Sequence, residues 1–238
     1  MRLRASAYIL HARSYRDTSL LLDCFTDQHG LLTLVAKGAR RPRSPFYACL
    51  QPFIFLEIAW VGKGDLKTLT QAESVQRLLG LSGSKILLGF YLNELLMRLL
   101  PRFDPLPSLF QAYQLTLEQI ALTTDKMQQQ LLLRYFELQL LAGLGYGLDL
   151  TKESKSEEEI SPDLLYHFEP NQGLIETADP NAAGQLAISG ASLIALRQKE
   201  VVTEVQLKEI KKLMRFVLKY YLGNKPLVTR KLFSLNLT

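Results

Sequence analysis

The sequence predicts a multi-domain α+β protein, with a small closed β-barrel over residues 1–80 and an α-helical bundle domain over 81–238. Two observations carry the prediction. Five strand-length runs crowd the first 75 residues with no helix-length pattern between most of them. After Gly80 the apolar residues switch to helical spacing. A third observation, the placing of charge, says which part meets a polyanion. Residues 1–80 hold 11 Lys/Arg against 6 Asp/Glu, whereas 81–238 hold 17 of each, so the net charge of +5 belongs to the first part.

The strand runs are residues 7–12, 20–26, 31–37, 52–61 and 66–75, rich in Leu, Ile, Val, Phe, Tyr and Thr. Breakers separate them at 26–30, 38–45 and Gly62-Lys63-Gly64-Asp65, the last a hairpin signal because Gly and Asp tolerate positive φ. An OB-fold barrel fits this spacing best, and a five-stranded SH3-like barrel is the near competitor. Residues 84–100 are apolar on nearly every side and stop at Pro101, as expected of the central helix of a bundle. Asp104-Pro105 opens a second helix with Leu106, Leu109, Phe110, Tyr113 and Leu117 on one face. A third helix runs from about 126 to 142 and puts Arg134 and Glu137 side by side on a narrow polar edge.

Gly143-Leu144-Gly145-Tyr146-Gly147 terminates that helix; no strand precedes it, so it is not a nucleotide fingerprint. An acidic, irregular insertion follows at about 149–185, with short strands at 166–168 and 173–175. The last long helix opens at Thr203 on a capping box, Thr203-Glu204-Val205-Gln206, and ends at Gly223. Ile210, Leu213, Met214, Val217, Leu218 and Tyr221 form its packing stripe. Lys208, Lys211, Lys212, Arg215 and Lys219 form a second stripe that faces water or something acidic.

No run approaches a membrane span, and the N-terminus lacks the pattern of a signal peptide. Cys24 and Cys49 both fall in apolar runs and read as buried thiols, so the cytoplasm is the expected compartment. No cofactor or metal is expected, and no catalytic residue stands out. His11, His29 and His167 are far apart and have no ligand-spaced partner. Glu157-Glu158-Glu159 lies on a polar loop, and no phosphate loop with its Lys-Ser/Thr is present.

The strongest positive feature is Lys37-Gly38-Ala39-Arg40-Arg41-Pro42-Arg43-Ser44, four cations in seven residues directly after a strand. Cations on a barrel loop can track a sugar–phosphate backbone while barrel aromatics stack on unpaired bases. Tyr8, Tyr15, Phe46, Tyr47 and Trp60 are the candidate stackers, and Arg13 and Arg16 extend the cationic track. Four single-strand contacts predict a log affinity–log salt slope of about −3, from about 0.7 per phosphate.

These residues carry a resemblance along nearly the whole chain. Asp17-Thr18-Ser19-Leu20-Leu21-Leu22-Asp23 with Phe25-Thr26, Val35-Ala36-Lys37-Gly38-Ala39-Arg40, Leu50-Gln51-Pro52-Phe53 and Tyr91-Leu92-Asn93-Glu94-Leu95-Leu96 come first. Leu133-Arg134-Tyr135-Phe136-Glu137-Leu138, Leu144-Gly145-Tyr146-Gly147, Tyr221-Leu222-Gly223-Asn224-Lys225-Pro226-Leu227 and Arg230-Lys231-Leu232-Phe233 follow. In this order and spacing the chain resembles the bacterial RecO family of DNA repair and recombination mediators. The resemblance implies an OB fold, a helical bundle and a C-terminal region packed on that bundle. It implies non-enzymatic binding of single- and double-stranded DNA and annealing of complementary strands, including strands coated by single-stranded DNA-binding protein (SSB). It further implies assistance to RecA loading together with RecR, in the cytoplasm at the nucleoid.

The 37–43 segment matches the family's DNA-binding segment, which marks Lys37, Arg40 and Arg41 for phosphate contact, with Arg43 beside them. The resemblance also implies capture of SSB's acidic C-terminal tail by the helical domain. Arg134, among Leu131 and Leu138, matches a basic position suited to the rim of that pocket; the alternative is a surface Arg paired with Glu137 or Gln130. Some relatives carry a four-cysteine zinc module between bundle and last helix, but residues 145–190 here contain no cysteine. Two other function classes stay open: a protein–protein adaptor whose barrel binds no DNA, and a hydrolase.

Overall fold

The computed structural model describes residues 2–46, 49–75, 80–181, 187–200 and 202–235, with backbone alone at 231 and 233–235. The chain divides into two compact units, Met1–Leu122 with Leu227–Thr238, and Thr123–Pro226.

In the first unit, β1 (Arg2–Tyr15), β2 (Ser19–Thr26), β3 (Gly30–Ala36), β4 (Phe55–Val61) and β5 (Leu66–Ser74) close a barrel in the order β1-β2-β3-β5-β4. The parallel β3–β5 pairing and the antiparallel β1–β4 pairing that shuts the barrel make it OB-like and remove the SH3-like alternative. β1 extends the expected run at both ends. Arg2, Arg4 and Ser6 alternate with Leu3, Ala5 and Ala7, so polar outward residues dilute the apolar signal while the pleat continues. A bulge between Ile9 and His11 then shifts the register and moves the inward set from Ile9 to Ala12. β4 starts at Phe55 rather than 52, because Phe53 adopts a positive φ of 67° and breaks the extended backbone.

Outside the barrel, Tyr8, Phe25 and Phe55 form an aromatic patch on which α2 (Pro107–Leu122) lays Phe110 and Tyr113, with Tyr8 ring centroids 5.1–5.6 Å from its partners. Pro107, not Pro105, occupies the first turn of this helix. α1 (Ser84–Leu99) packs on β1 and α2. Its buried Asn93 joins three elements, donating from Nδ2 to the Leu10 carbonyl at 2.8 Å and accepting on Oδ1 from the Tyr113 hydroxyl at 2.5 Å. Asn93→Ala removes both contacts inside an apolar interface and costs about 2–4 kcal/mol. Urea unfolding reads this directly, and an unchanged midpoint would refute the assignment. α6 (Val228–Leu235) docks against α1, where the Glu94 carboxylate accepts from the Val228 N–H, the Thr229 N–H and Thr229 Oγ1.

The second unit holds α3 (Lys126–Gly143), a three-stranded sheet ordered β7 (Gly173–Thr177), β6 (Leu165–Glu169), β8 (Ile188–Ser189), then α4 (Gly190–Gln198) and α5 (Glu204–Leu222). Asp125 caps α3 by accepting from the Met127 N–H. The expected capping box is formed at Thr203 and Gln206, and Gly223 ends α5. In the acidic insertion, Glu153 folds its carboxylate onto the Lys155 and Ser156 amides, and the two short strands expected there pair as the antiparallel β6–β7. α4 was not expected; its serines and glycine obscure a nine-residue helix that Ser189 starts as N-cap. Among the described residues no helix is long and apolar enough to cross a membrane.

Candidate nucleic-acid interface

The β1–β2 hairpin and the chain leaving β3 meet at one end of the barrel, because Tyr15 pairs with Ser19 and Leu20 with Ala36. The loop after β3 is fastened there by its backbone. The Arg40 N–H donates to the Thr18 carbonyl at 2.8 Å, and the Arg41 N–H to the Gly38 carbonyl at 3.0 Å. The Ser44 N–H donates to the Arg41 carbonyl at 3.1 Å. Ala39 is sunk into the barrel core as an anchor. Gly38 permits the turn with φ 68°, and Arg41 lays its aliphatic stem over the space a Cβ would take.

With the backbone turned inward, the charged side chains turn outward. Lys37, Arg40, Arg41 and Arg43 are exposed, and so is Arg16 at the hairpin tip, with φ 52° and its guanidinium 5.3 Å from the Tyr15 ring centre. Among the described residues none of these five forms a salt bridge. The result is a single cationic end built from two loops. Arg13 differs: it sits on the β1 wall and donates to Asp23 Oδ2 at 3.3 Å. Asp23 is itself buried, accepts from Thr33 Oγ1 at 2.7 Å, and has His11 Nδ1 at 3.9 Å. The charge of Arg13 is therefore partly cancelled.

The expected stackers divide. Tyr8 and Trp60 are corrected: both are fully buried, Tyr8 under α2 and Trp60 inside the barrel against His29, so neither meets a base. Burial also raises the Tyr8 hydroxyl above the ordinary tyrosine range, with the Glu118 charge adding to the effect. Phe46 packs half-buried on the barrel core. Among the described residues Tyr15, half-buried beside Arg16, is the expected stacker that stands at the cationic end, and Tyr47 lies outside the described residues. Cys24 and Cys49 are buried free thiols as expected, both raised in pKa by burial first.

Sequence reading missed the barrel-wall cations Arg102 and Lys67. Arg102 donates to Thr33 Oγ1 at 2.8 Å, and Lys67 Nζ lies 4.0 Å from the Phe103 ring centre. Residues 33 and 102 stand far apart in the chain, so no local pattern signals their meeting.

In the second unit, Arg134 is not a surface residue. It is 5% exposed, and its guanidinium is bonded to the fully buried Glu137 at 2.5 Å. Leu131 is buried and Leu138 half-buried on the same helix. Arg134 Nε is buried without a hydrogen-bond partner among the described residues. Facing it from α5, Lys211 donates to Gln130 Oε1 at 3.0 Å. Its ammonium is held below the usual lysine range by half-burial first, then by Arg215 and Arg134, with Glu137 opposing. Three cations thus share this place with one carboxylate.

Two family models match the chain in succession, meeting near residue 80 rather than at the Leu122 boundary of the compact units. The family model "Recombination protein O N terminal" matches residues 1–78, and "Recombination protein O C terminal" matches 81–231. A DNA repair protein RecO of Actinobacillus pleuropneumoniae is 43% identical over 95% of this chain and 92% of its own length. One from Methylococcus capsulatus is 44% identical over 95% and 91%, and one from Nitrosococcus oceani 41% over 96% and 91%. With family models covering both halves and relatives of this identity along almost the entire sequence, the chain belongs to the RecO family of DNA repair proteins.

Proposed function

We propose that the chain is a non-enzymatic recombination mediator. It binds single- and double-stranded DNA and anneals complementary strands, including SSB-coated ones. With RecR it assists RecA loading, acting in the cytoplasm on nucleoid DNA. The observation that carries this reading is the cationic end of the barrel, where two loops present five exposed cations, none paired with a carboxylate among the described residues, on a backbone fixed by its own hydrogen bonds. Such an array grips phosphates without hydrogen-bonding base edges, so bases remain able to pair. No covalent step is required; annealing is accelerated by neutralising the repulsion between two polyanions.

The second contact is with the acidic tail of SSB, placed at Arg134, Leu131 and Leu138. Apolar side chains and an excess of positive charge adjoin there, which suits a peptide ending in an aromatic residue and a free carboxylate. Because Arg134 is largely covered and tied to Glu137, it acts by its field, while half-buried Lys211 supplies the reachable donor.

The test is annealing of complementary oligonucleotides coated with intact SSB or with SSB lacking its tail. Tail removal is expected to slow annealing several-fold while leaving naked strands unaffected. Equal rates on both coated substrates would remove the tail contact. Failure to anneal naked strands at all would turn the reading toward a protein adaptor.

A further inference from the structure

We propose that the exposed face of α5 bearing Lys208, Lys212, Arg215 and Lys219, with the tyrosines at its C-terminal end, binds single-stranded DNA as a second site independent of the barrel end. The inference rests on the annealing function proposed above, since bringing two strands together requires holding both.

The four residues follow one another at steps of four, three and four, so they stand on one face of the helix. All four are exposed. The row is about 16 Å long at 1.5 Å per residue, long enough to meet successive phosphates of one strand. Among the described residues Lys208, Lys212 and Lys219 form no salt bridge. The carboxylate of Glu209 is occupied elsewhere, accepting from the Ser189 and Ser192 hydroxyls at 2.7 Å. On the same helix Lys211 is lowered in basicity by half-burial first, then by the neighbouring Arg215 and Arg134, with Glu137 opposing. Lys208, Lys212 and Lys219 therefore present a row of exposed positive charge with no carboxylate partner among the described residues.

Charge alone would suit any polyanion; the aromatics select among them. Tyr146 stacks on Tyr221 with centroids 4.3 Å apart and planes at 21°, and Tyr220 meets Tyr221 edge-on at 5.1 Å. Tyr146 and Tyr220 remain 48% and 46% exposed, and Asn171 steadies the Tyr220 hydroxyl at 3.2 Å. Tyr220, exposed one position after Lys219, offers a ring beside the cations on which an unpaired base can stack, the arrangement by which single strands are held without sequence preference.

The experiment measures anisotropy of labelled oligo-dT with the full chain across a salt series. Lys208→Gln/Lys212→Gln/Lys219→Gln is made alone and in a Lys37→Ala/Arg40→Ala background. All three lysines are exposed and Gln is nearly as good a helix former, so the fold is retained; a circular-dichroism melt verifies this. The barrel variant is expected to keep residual, salt-sensitive binding. The added triple substitution is expected to flatten its log–log slope by about 2, from about 0.7 per contact. Tyr220→Ala in the same background is expected to lose about tenfold in affinity. An unchanged slope in both backgrounds overturns the proposal. So does loss of all binding in the barrel variant alone, which would make α5 dependent on the barrel. If the triple variant loses an acidic peptide but keeps oligo-dT, the face belongs to a protein partner and the proposal likewise fails. Should the barrel variant bind normally while the triple variant does not, α5 stands as the strand site and only the barrel assignment falls.

Discussion

Replacing Lys37 and Arg40 together by alanine is expected to weaken single-stranded DNA binding on the order of 25-fold at 0.1 M monovalent salt, and to flatten its salt dependence. Each single-strand phosphate contact adds about 0.7 to the slope of log affinity against log salt, so one contact gains about fivefold between 1 M and 0.1 M. Two lost contacts multiply to that figure and remove about 1.4 from the slope. Both side chains are exposed and bear on no buried group, so stability should hold while binding falls. Glutamate in place of alanine adds repulsion and deepens the loss. Arg13→Ala is the internal control. Its guanidinium is already engaged by Asp23, so its removal should change the slope by less than either loop cation. Undiminished binding with an unaltered slope would detach the barrel end from the mechanism.

That contrast shows what the residues alone could and could not disclose. The strand runs, the breaker at Gly38 and the cation cluster are local in sequence, and each reappears in the fold because local backbone preference and pleat periodicity decide it. The convergence of Arg16 with Arg40 follows from hairpin geometry, since the β1–β2 turn must lie beside the chain that exits β3. The fate of Arg13 depended on the strand face it takes after a one-residue bulge, that of Trp60 on the face that turns into the barrel, and that of Tyr8 on α2 covering part of the barrel. Neither event leaves a mark within a few residues of the side chains concerned. The capping box at Thr203 was readable for the opposite reason: all its atoms lie within four consecutive residues. Arg134 shows the same limit from the other side. A polar edge at helical spacing looks solvated until a second helix packs upon it, and α5 is that helix.

Arg134→Ala should therefore act first on stability, with an expected loss of about 3–5 kcal/mol, because it leaves the Glu137 carboxylate buried without its guanidinium. The attraction between the two charges offsets their desolvation only while both are present. Exchanging both for apolar side chains of similar size, Arg134→Met with Glu137→Leu, should return most of that loss. Urea unfolding of the wild type, the single variant and the double variant reads the cycle, and equal stability of single and double variants would contradict the buried-pair reading. The double variant also resolves a confusion the single one creates. A destabilised Arg134→Ala chain would lose the SSB tail peptide for want of a fold, whatever the guanidinium does. The double variant keeps the fold and removes a carboxylate that would repel the acidic tail. If tail affinity still drops by tenfold or more, the size of a charge-assisted hydrogen bond at about 1.5 kcal/mol, the cause must be the missing cation. Calorimetry showing unchanged peptide affinity in a folded double variant would assign Arg134 to the interior alone and leave tail recognition to Lys211.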